Sequence, residues 1–398
     1  MHFPGSKGSE FTTKLDFFKL PKAIPTYRVM DSKGNVLDAS HEPKIDQAQC
    51  VKMYQAMLTL NSMDQILYEA QRQGRISFYM TNYGEEATHI GSSSALDPND
   101  MIFGQYREAG VLLWRGFTLP EFMNQLYSNE KDSAKGRQMP VHYGSRQYNF
   151  QTISSPLGTQ IPQAAGAAYA FKREGRKNVV MCYFGEGAAS EGDFHAALNF
   201  AATLDCPVIF FCRNNGFAIS TPTEEQYRGD GIASRGIGYG MATIRVDGND
   251  IWAVRNATMA AREHCLGKMK PVLVEAMTYR VGHHSTSDDS SAYRSREEVT
   301  EWSKRDNPIN RLRHYMELKG WWDEKKDSAF REEIRAQIMQ AFHESEHLKK
   351  PPIEELFNDV YDVLPVHLKE QKETLLRHIE KYPEFYHPEQ HAAGREAK

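Results

Sequence analysis

Two apolar runs joined by a helical stretch dictate the centre of this fold. Over residues 178–216 the chain reads NVVMCYFGEGAASEGDFHAALNFAATLDCPVIFFCRNNG. The first run closes in Gly185-Glu186-Gly187, small residues and a helical segment follow, and the second run closes in Arg213-Asn214-Asn215-Gly216. Strands without polar alternation are buried on both faces, and two of them linked by a helix form a parallel βαβ unit. Open parallel sheets bind ligands beyond the carboxyl ends of their strands. Glu186 and Asn215 are therefore predicted to stand side by side there. Two oxygen donors of that kind suit a Mg²⁺ ion shared with a diphosphate.

The totals set bounds. With 398 residues, 40% of them hydrophobic and 25% charged, the chain can bury a substantial core. A net charge of -4 provides no electrostatic case for nucleic acid or an acidic membrane. No apolar run approaches the ~20 residues that span a bilayer. The five cysteines are odd in number and none forms Cys-x-x-Cys, which predicts buried reduced thiols in a non-secretory compartment. No signal peptide or Arg-rich transit segment is visible.

Periodicity places further elements around the central unit. Residues 46–73 are predicted as a helix, with Asp46 and Gln49 as a capping box and Gly74 as its stop. Residues 84–95 form a second, small-residue helix, and Thr118 with Glu121 caps a third. Residues 243–246 and 271–279 read as strands around a helix over 250–265, so a parallel sheet covered by helices on both faces results. A small hairpin is predicted around a turn at 32–35. Residues 297–305, 308–319, 327–348 and 352–382 read as helices, with Trp321, Trp322, Ile338, Met339 and Phe342 as packing anchors. The expected division is an extended arm over 1–44, an α/β core over 45–300, and a C-terminal helical region over 301–398 packed on that core. The tail after His387 reads as frayed.

Three polar segments accompany these elements. Gly104-Gln105-Tyr106-Arg107-Glu108-Ala109-Gly110 offers a fork of donors to a phosphate; on its own Arg107 reads more simply as a surface residue beside a packed Tyr. Ser154-Ser155-Pro156-Leu157-Gly158-Thr159-Gln160 opens a helix, where its oxygens can wrap a cation or its helix end meet a phosphate; capping is the plainer use. Residues 280–295 follow a strand end and hold His283 and His284 between Arg280 and Arg294. Composition alone reads this loop equally as a mobile connection or as a place for acid–base work and anion contact.

Gly-Glu-Gly at one strand end with Asn-Asn at the next resembles the thiamine-diphosphate motif. Residues 104–110, 153–160, 183–193, 213–222 and 283–293 are similar to the alpha subunits of branched-chain 2-oxoacid dehydrogenases, and the resemblance runs from Phe3 to Tyr386. Gly-Glu-Gly-Ala-Ala-Ser-Glu-Gly stands where pyruvate dehydrogenase alpha subunits have Gly-Asp-Gly-Ala-Ala-Asn-Gln-Gly, and His-His-Ser-Thr-Ser-Asp-Asp-Ser-Ser also differs from their loop.

The resemblance implies the α/β thiamine-diphosphate-binding fold with extra C-terminal helices. It implies oxidative decarboxylation of the 2-oxoacids of Leu, Ile and Val and reductive acylation of a lipoyl arm. Glu186 and Asn215 would ligate Mg²⁺ by side chains and Phe217 by its carbonyl, where mammalian relatives have Tyr. Tyr106, Arg107, Arg213 and His284 would hold the diphosphate, with Ser155, Leu157, Gly185, Gly187 and Ala188 lining the cofactor. Ser154, Pro156, Thr159 and Gln160 would bind K⁺, in a loop where Gly158 replaces an Ala and loosens it. His284 would be this chain's catalytic residue, and Ser285 and Ser295 match phosphorylation positions. The implied partners are a beta subunit in an α2β2 heterotetramer, which brings the carboxylate that activates the cofactor, a lipoyl-bearing acyltransferase core, and a regulatory kinase and phosphatase. The mitochondrial matrix is implied, and neither nucleic acid nor membrane. A pyruvate- or acetoin-type alpha subunit and a non-catalytic, cofactor-free homologue are the alternatives.

Overall fold

In a computed structural model, which describes residues 12–17 and 22–393, the chain enters the sheet through β1 (Thr26–Tyr27) and turns sharply, with Met30 bridged to Val36. That bridge is the predicted hairpin, reduced to one pair. The helix α1 (Gln47–Arg72) follows; Asp46 caps it by accepting from Gln49 N at 2.8 Å, the only half of the expected box that forms. Next come α2 (Glu86–Ser93), β2 (Met101–Phe103), α3 (Ala109–Arg115) and α4 (Leu119–Tyr127). Here the Thr118–Glu121 box is complete. After β3 (Phe150–Gln151) and α5 (Gln160–Arg173) the central unit forms as β4 (Val180–Gly185), α6 (Gly192–Thr203) and β5 (Val208–Asn214). A tight ribbon, β6 (Phe217–Ala218) with β7 (Thr221–Pro222), leads through α7 (Thr223–Gln226) and α8 (Ala233–Gly238) to β8 (Ala242–Asp247), α9 (Ile251–Lys268) and β9 (Val272–Met277).

The main sheet has seven strands in the order β1-β8-β9-β5-β4-β2-β3, and every pairing in it is parallel. The side-chain period of two splits the buried strands between two cores. Met181 and Tyr183 of β4 join the core that contains α1 and α9, whereas Val180, Cys182 and Phe184 join the one beneath α5 and α6. Helices on both faces are therefore a consequence of the unbroken apolar runs. All five cysteines are buried and unbridged, as expected.

The strand order fixes where a ligand can sit. From β2 the chain moves outward to β3, and from β4 it moves the other way to β5. The carboxyl ends of β2 and β4 thus flank a topological switch point, the crevice that such sheets use for binding.

Helices α10 (Arg296–Arg305), α11 (Pro308–Leu318), α12 (Glu324–Glu346), α13 (Val366–Lys381) and α14 (Pro383–Tyr386) close the described chain. Trp322, Ile338 and Phe342 anchor α11 and α12 against α1 and α4, while Trp321 and Met339 are only partly buried. The single helix expected over 352–382 does not form. Ile353–Phe357 is one 3-10 turn, Asp359 takes φ +68°, and Pro365 stands at the N-cap of α13. Asn358-Asp359 and Pro365 interrupt helix in favour of turn, which outweighs the surrounding periodicity. The expected arm over 1–44 lies partly outside the described residues; within them it supplies β1, paired in parallel with β8. The end of the expected frayed tail, 394–398, is also outside them.

Candidate active site

At the switch point a cavity of about 220 Å³ collects residues that are distant in sequence. The loop after β2 brings Gln105, Tyr106 and Arg107. The end of β4 brings Gly185, Glu186, Gly187 and Ala188, and the end of β5 brings Arg213 and Asn215. Phe217 enters from β6, Leu157 from the loop before α5, and Arg280 and His284 from the segment after β9. A larger cleft of about 820 Å³ beside β3 contains none of these strand-end residues.

Glu186 follows directly on β4 and is almost fully buried. Its Oε2 accepts from Asn215 N at 3.3 Å, while Oε1 is buried with no hydrogen-bond partner among the described residues. Burial raises its carboxyl to about 7. A buried orphaned carboxylate oxygen beside an amide is a donor set that fits a hard divalent cation. Gly187 allows the close approach of the ribbon: a Cβ there would meet Ala218 Cβ at 2.6 Å. Among the described residues no group of three or more His, Cys, Asp or Glu could hold a metal, so any ion here relies on amide and carbonyl oxygen as well.

The cationic side of the site is built from three buried guanidiniums. Arg213 is paired with Glu85 and with Glu108, the latter at 2.5 Å. Arg107 donates to Thr81 O and to His284 O, the latter at 2.8 Å. Arg280 donates to Ile219 O and to the Tyr293 hydroxyl, each at 2.7 Å, and among the described residues no carboxylate is hydrogen-bonded to it. Arg213 Nε and Arg280 Nε are buried and unpartnered among the described residues. Such a surplus of donors suits a polyanion such as a diphosphate.

His284 stands between Arg107 and Arg280, and burial together with those two charges lowers its imidazole to about 3. Arg280 Nη1 approaches Nδ1 at 3.4 Å, and a guanidinium only donates, so the ring proton belongs on Nε2. The backbone of His284 is held on both sides, by Arg107 at its carbonyl and by Asp288 Oδ2, which accepts from its N–H at 2.7 Å. The remainder of the loop is equally bonded. Arg294 donates to the carbonyls of Arg280, Val281 and Gly282, and Thr286 N donates to Tyr79 O at 3.1 Å. The reading of this loop as a mobile connection is thereby replaced by that of a folded one. Its abundant Ser and Asp serve internal turns, such as Asp289 accepting from Ser291 N.

Ser155 does not line the cavity. Its hydroxyl bonds His142 Nε2 at 2.7 Å. Ser154, Pro156, Thr159 and Gln160 form the turn into α5, where Thr159 Oγ1 donates to Pro156 O at 3.0 Å and Gln160 Nε2 to Tyr183 O at 3.1 Å. Gly158 adopts φ +83°, which glycine takes without strain, so glycine here matches the turn. Ser285 is half-buried, and Ser295 is exposed at the N-cap of α10, accepting from Glu298 N.

Sequence reasoning missed Glu85, Glu108 and Gln105. Glu108 Oε2 accepts from Gln105 N and Tyr106 N, shaping the loop that presents Arg107, and Gln105 Oε1 accepts from Gly185 N at 3.0 Å. The one signal for Glu108 is its place inside the Gly104–Gly110 segment; Glu85 carries none, since it meets its partners only across the fold.

Comparison with known proteins agrees with this geometry. Residues 54–354 match the family model described as the dehydrogenase E1 component. The chain is 60% identical over 386 residues to the human 2-oxoisovalerate dehydrogenase subunit alpha, mitochondrial, covering 96% of this chain and 86% of that one. It is 59% identical to the Bos taurus protein of the same name, at 96% and 85% coverage, and 56% identical to that of Caenorhabditis elegans, at 96% and 89%. With that much of its length matched, the chain belongs to the dehydrogenase E1 component family and, within it, to the 2-oxoisovalerate dehydrogenase alpha subunits.

Proposed function

We propose that this chain is the diphosphate- and metal-holding half of a branched-chain 2-oxoacid dehydrogenase. In this reading it oxidatively decarboxylates 3-methyl-2-oxobutanoate and its homologues and passes the acyl group to a lipoyl arm. The observation that carries the reading is the orphaned Glu186 Oε1 beside Asn215, set at a sheet switch point among three guanidiniums. The names of the relatives supply the substrate class.

Thiamine diphosphate, when bound, supplies the carbon nucleophile and electron sink that loss of CO₂ requires. Glu186, Asn215 and the Phe217 carbonyl would hold Mg²⁺, with the ion offsetting the charge that burial disfavours on Glu186. Arg107, Arg213, Tyr106 and His284 would take the diphosphate, with Leu157, Gly185, Gly187 and Ala188 lining the cofactor and Ser155, bonded to His142, standing outside that lining. Neutral His284 offers its Nε2–H to a reacting oxygen without adding charge to a crowded cationic site. Ser154, Pro156, Thr159 and Gln160 would hold a structural K⁺. The carboxylate that the cofactor's pyrimidine needs would come from a beta subunit, in an α2β2 assembly docked on a lipoyl-bearing core in the mitochondrial matrix.

Phosphorylation of Ser285 by a dedicated kinase would add about -1.5 to -2 charge next to His284 and the bound diphosphate. A phosphate at Ser295 would instead meet the N-terminus of α10, where negative charge is favourable. Ser285 is therefore the inhibitory position. Co-expression with the beta subunit, followed by decarboxylation assays with 3-methyl-2-oxobutanoate and pyruvate, tests the function. A preference for pyruvate, or no Mg²⁺-dependent cofactor binding, refutes it.

A further inference from the structure

We propose that Glu85 is a positioning residue that decides which end of the Asn215 amide faces the cation and couples that choice to Arg213. The inference rests on the metal–diphosphate reading above. Glu85 occupies the N-cap position of α2 and is fully buried. Its Oε1 accepts from Asn215 Nδ2 at 2.8 Å and lies 3.6 Å from Arg107 Nε. Its Oε2 accepts from Arg213 Nη1.

A side-chain amide has one donating end and one accepting end of nearly the same shape. Only a neighbour with a fixed polarity can choose between its two orientations. Glu85 is such a neighbour, because two guanidiniums keep it ionised and an ionised carboxylate only accepts. Asn215 must therefore turn its NH₂ towards Glu85. Its Oδ1 then accepts from Phe217 N at 3.3 Å, a longer, neutral contact that favours the same orientation, and Phe217 and Glu186 line the same cavity. Reversed, the amide would present N–H to a cation. Glutamine could not replace Glu85. Turning its oxygen to Asn215 sets its NH₂ against the Arg213 donors, and turning it the other way sets NH₂ against NH₂.

That logic predicts a rescue. In Glu85→Gln/Asn215→Asp the polarity of the contact is inverted: the Gln NH₂ donates to the Asp carboxylate while the Gln oxygen accepts from Arg213. Mg²⁺ is titrated by calorimetry into the assembled complex with the beta subunit at saturating thiamine diphosphate. Each single variant is expected to weaken Mg²⁺ binding about tenfold or more, and the double variant to return to within roughly fivefold of wild type. A purely structural Glu85 would not be rescued by a change at Asn215, so a double variant as weak as the singles combined overturns the proposal. If variants at Glu85 fail to assemble, Asn215→Asp alone decides. An unopposed carboxylate binds Mg²⁺ more tightly than an amide does, so tighter binding by this variant overturns the proposal and weaker binding supports it. A wild-type complex that binds no Mg²⁺ with the cofactor overturns the underlying reading as well, which separates the two failures.

Discussion

Glu186 and His284 share one cavity, and burial drives both towards their neutral forms, the carboxyl up to about 7 and the imidazole down to about 3. A His284 that stays neutral acts as a hydrogen-bond donor, not as a charge. Replacing it with alanine should abolish transfer of the acyl group to the lipoyl arm while cofactor affinity changes less than about tenfold; a His284→Ala complex with normal turnover would refute its role. A second residue-scale effect lies outside the cavity. Burial, with Asp64 nearby, raises the Glu86 carboxyl from 4.5 to about 7. Between those values the unfolded chain has released the proton and the folded chain keeps it. Stability therefore falls as pH rises from about 4.5 to 7, by on the order of 3 kcal/mol in total. Denaturant midpoints measured across that range should fall less steeply in Glu86→Gln, and equal slopes would disprove the assignment. Glu186 and Asn215 were legible in sequence because each ends an apolar run. Glu85 was not, because Arg213 and Asn215 reach it from a strand end about 130 residues away.

The elements owe their placement to a few backbone positions. Gly84 takes φ +92° just ahead of α2, and a Cβ there would meet Tyr279 O at 2.1 Å. Gly267, inside α9, is exposed with nothing within 4 Å of such an atom. Gly84→Ala should cost about 3 kcal/mol or more, whereas Gly267→Ala should stabilise by about 0.5–1 kcal/mol; paired unfolding curves distinguish them. Asp250 carries a heavier load than an ordinary cap. Its Oδ1 accepts from Trp252 N and Ala253 N at the start of α9, and its Oδ2 from Val29 N and Met30 N, tying the entry segment to that helix. An exposed cap is worth about 1 kcal/mol, but leaving buried donors unpaired raises the expected loss in Asp250→Ala to about 3–5 kcal/mol. Calorimetry would reveal a smaller loss if water replaced the carboxylate. The sequence signalled α1 and α4 through their caps and periodicity, and α9 through periodicity alone. It misread residues 352–365, where apolar spacing continues through a stretch that Asn358, Asp359 and Pro365 break.

For the molecule as a whole, the C-terminal end looks built for company. None of the residues of α13 is buried, and Leu356, Val360, Val363, Val366 and Phe385 are each between 67% and 76% exposed. Exposed apolar side chains in that number make this end the candidate for a partner contact. Amide exchange in α13 should be fast in the isolated chain and slow markedly on assembly with the beta subunit; unchanged exchange would place the interface elsewhere. By itself the sequence determined the parallel βαβ centre, the two faces of the sheet and the strand ends that carry Glu186, Arg213 and Asn215. Those follow from local period and from chain direction, which are properties of neighbouring residues. Only the tertiary structure decided which strand ends flank the switch point, that the histidine loop is folded, and that Glu85 links Arg213 to Asn215. Strand order and buried charge pairing depend on contacts between residues far apart in the chain, and no local pattern encodes them.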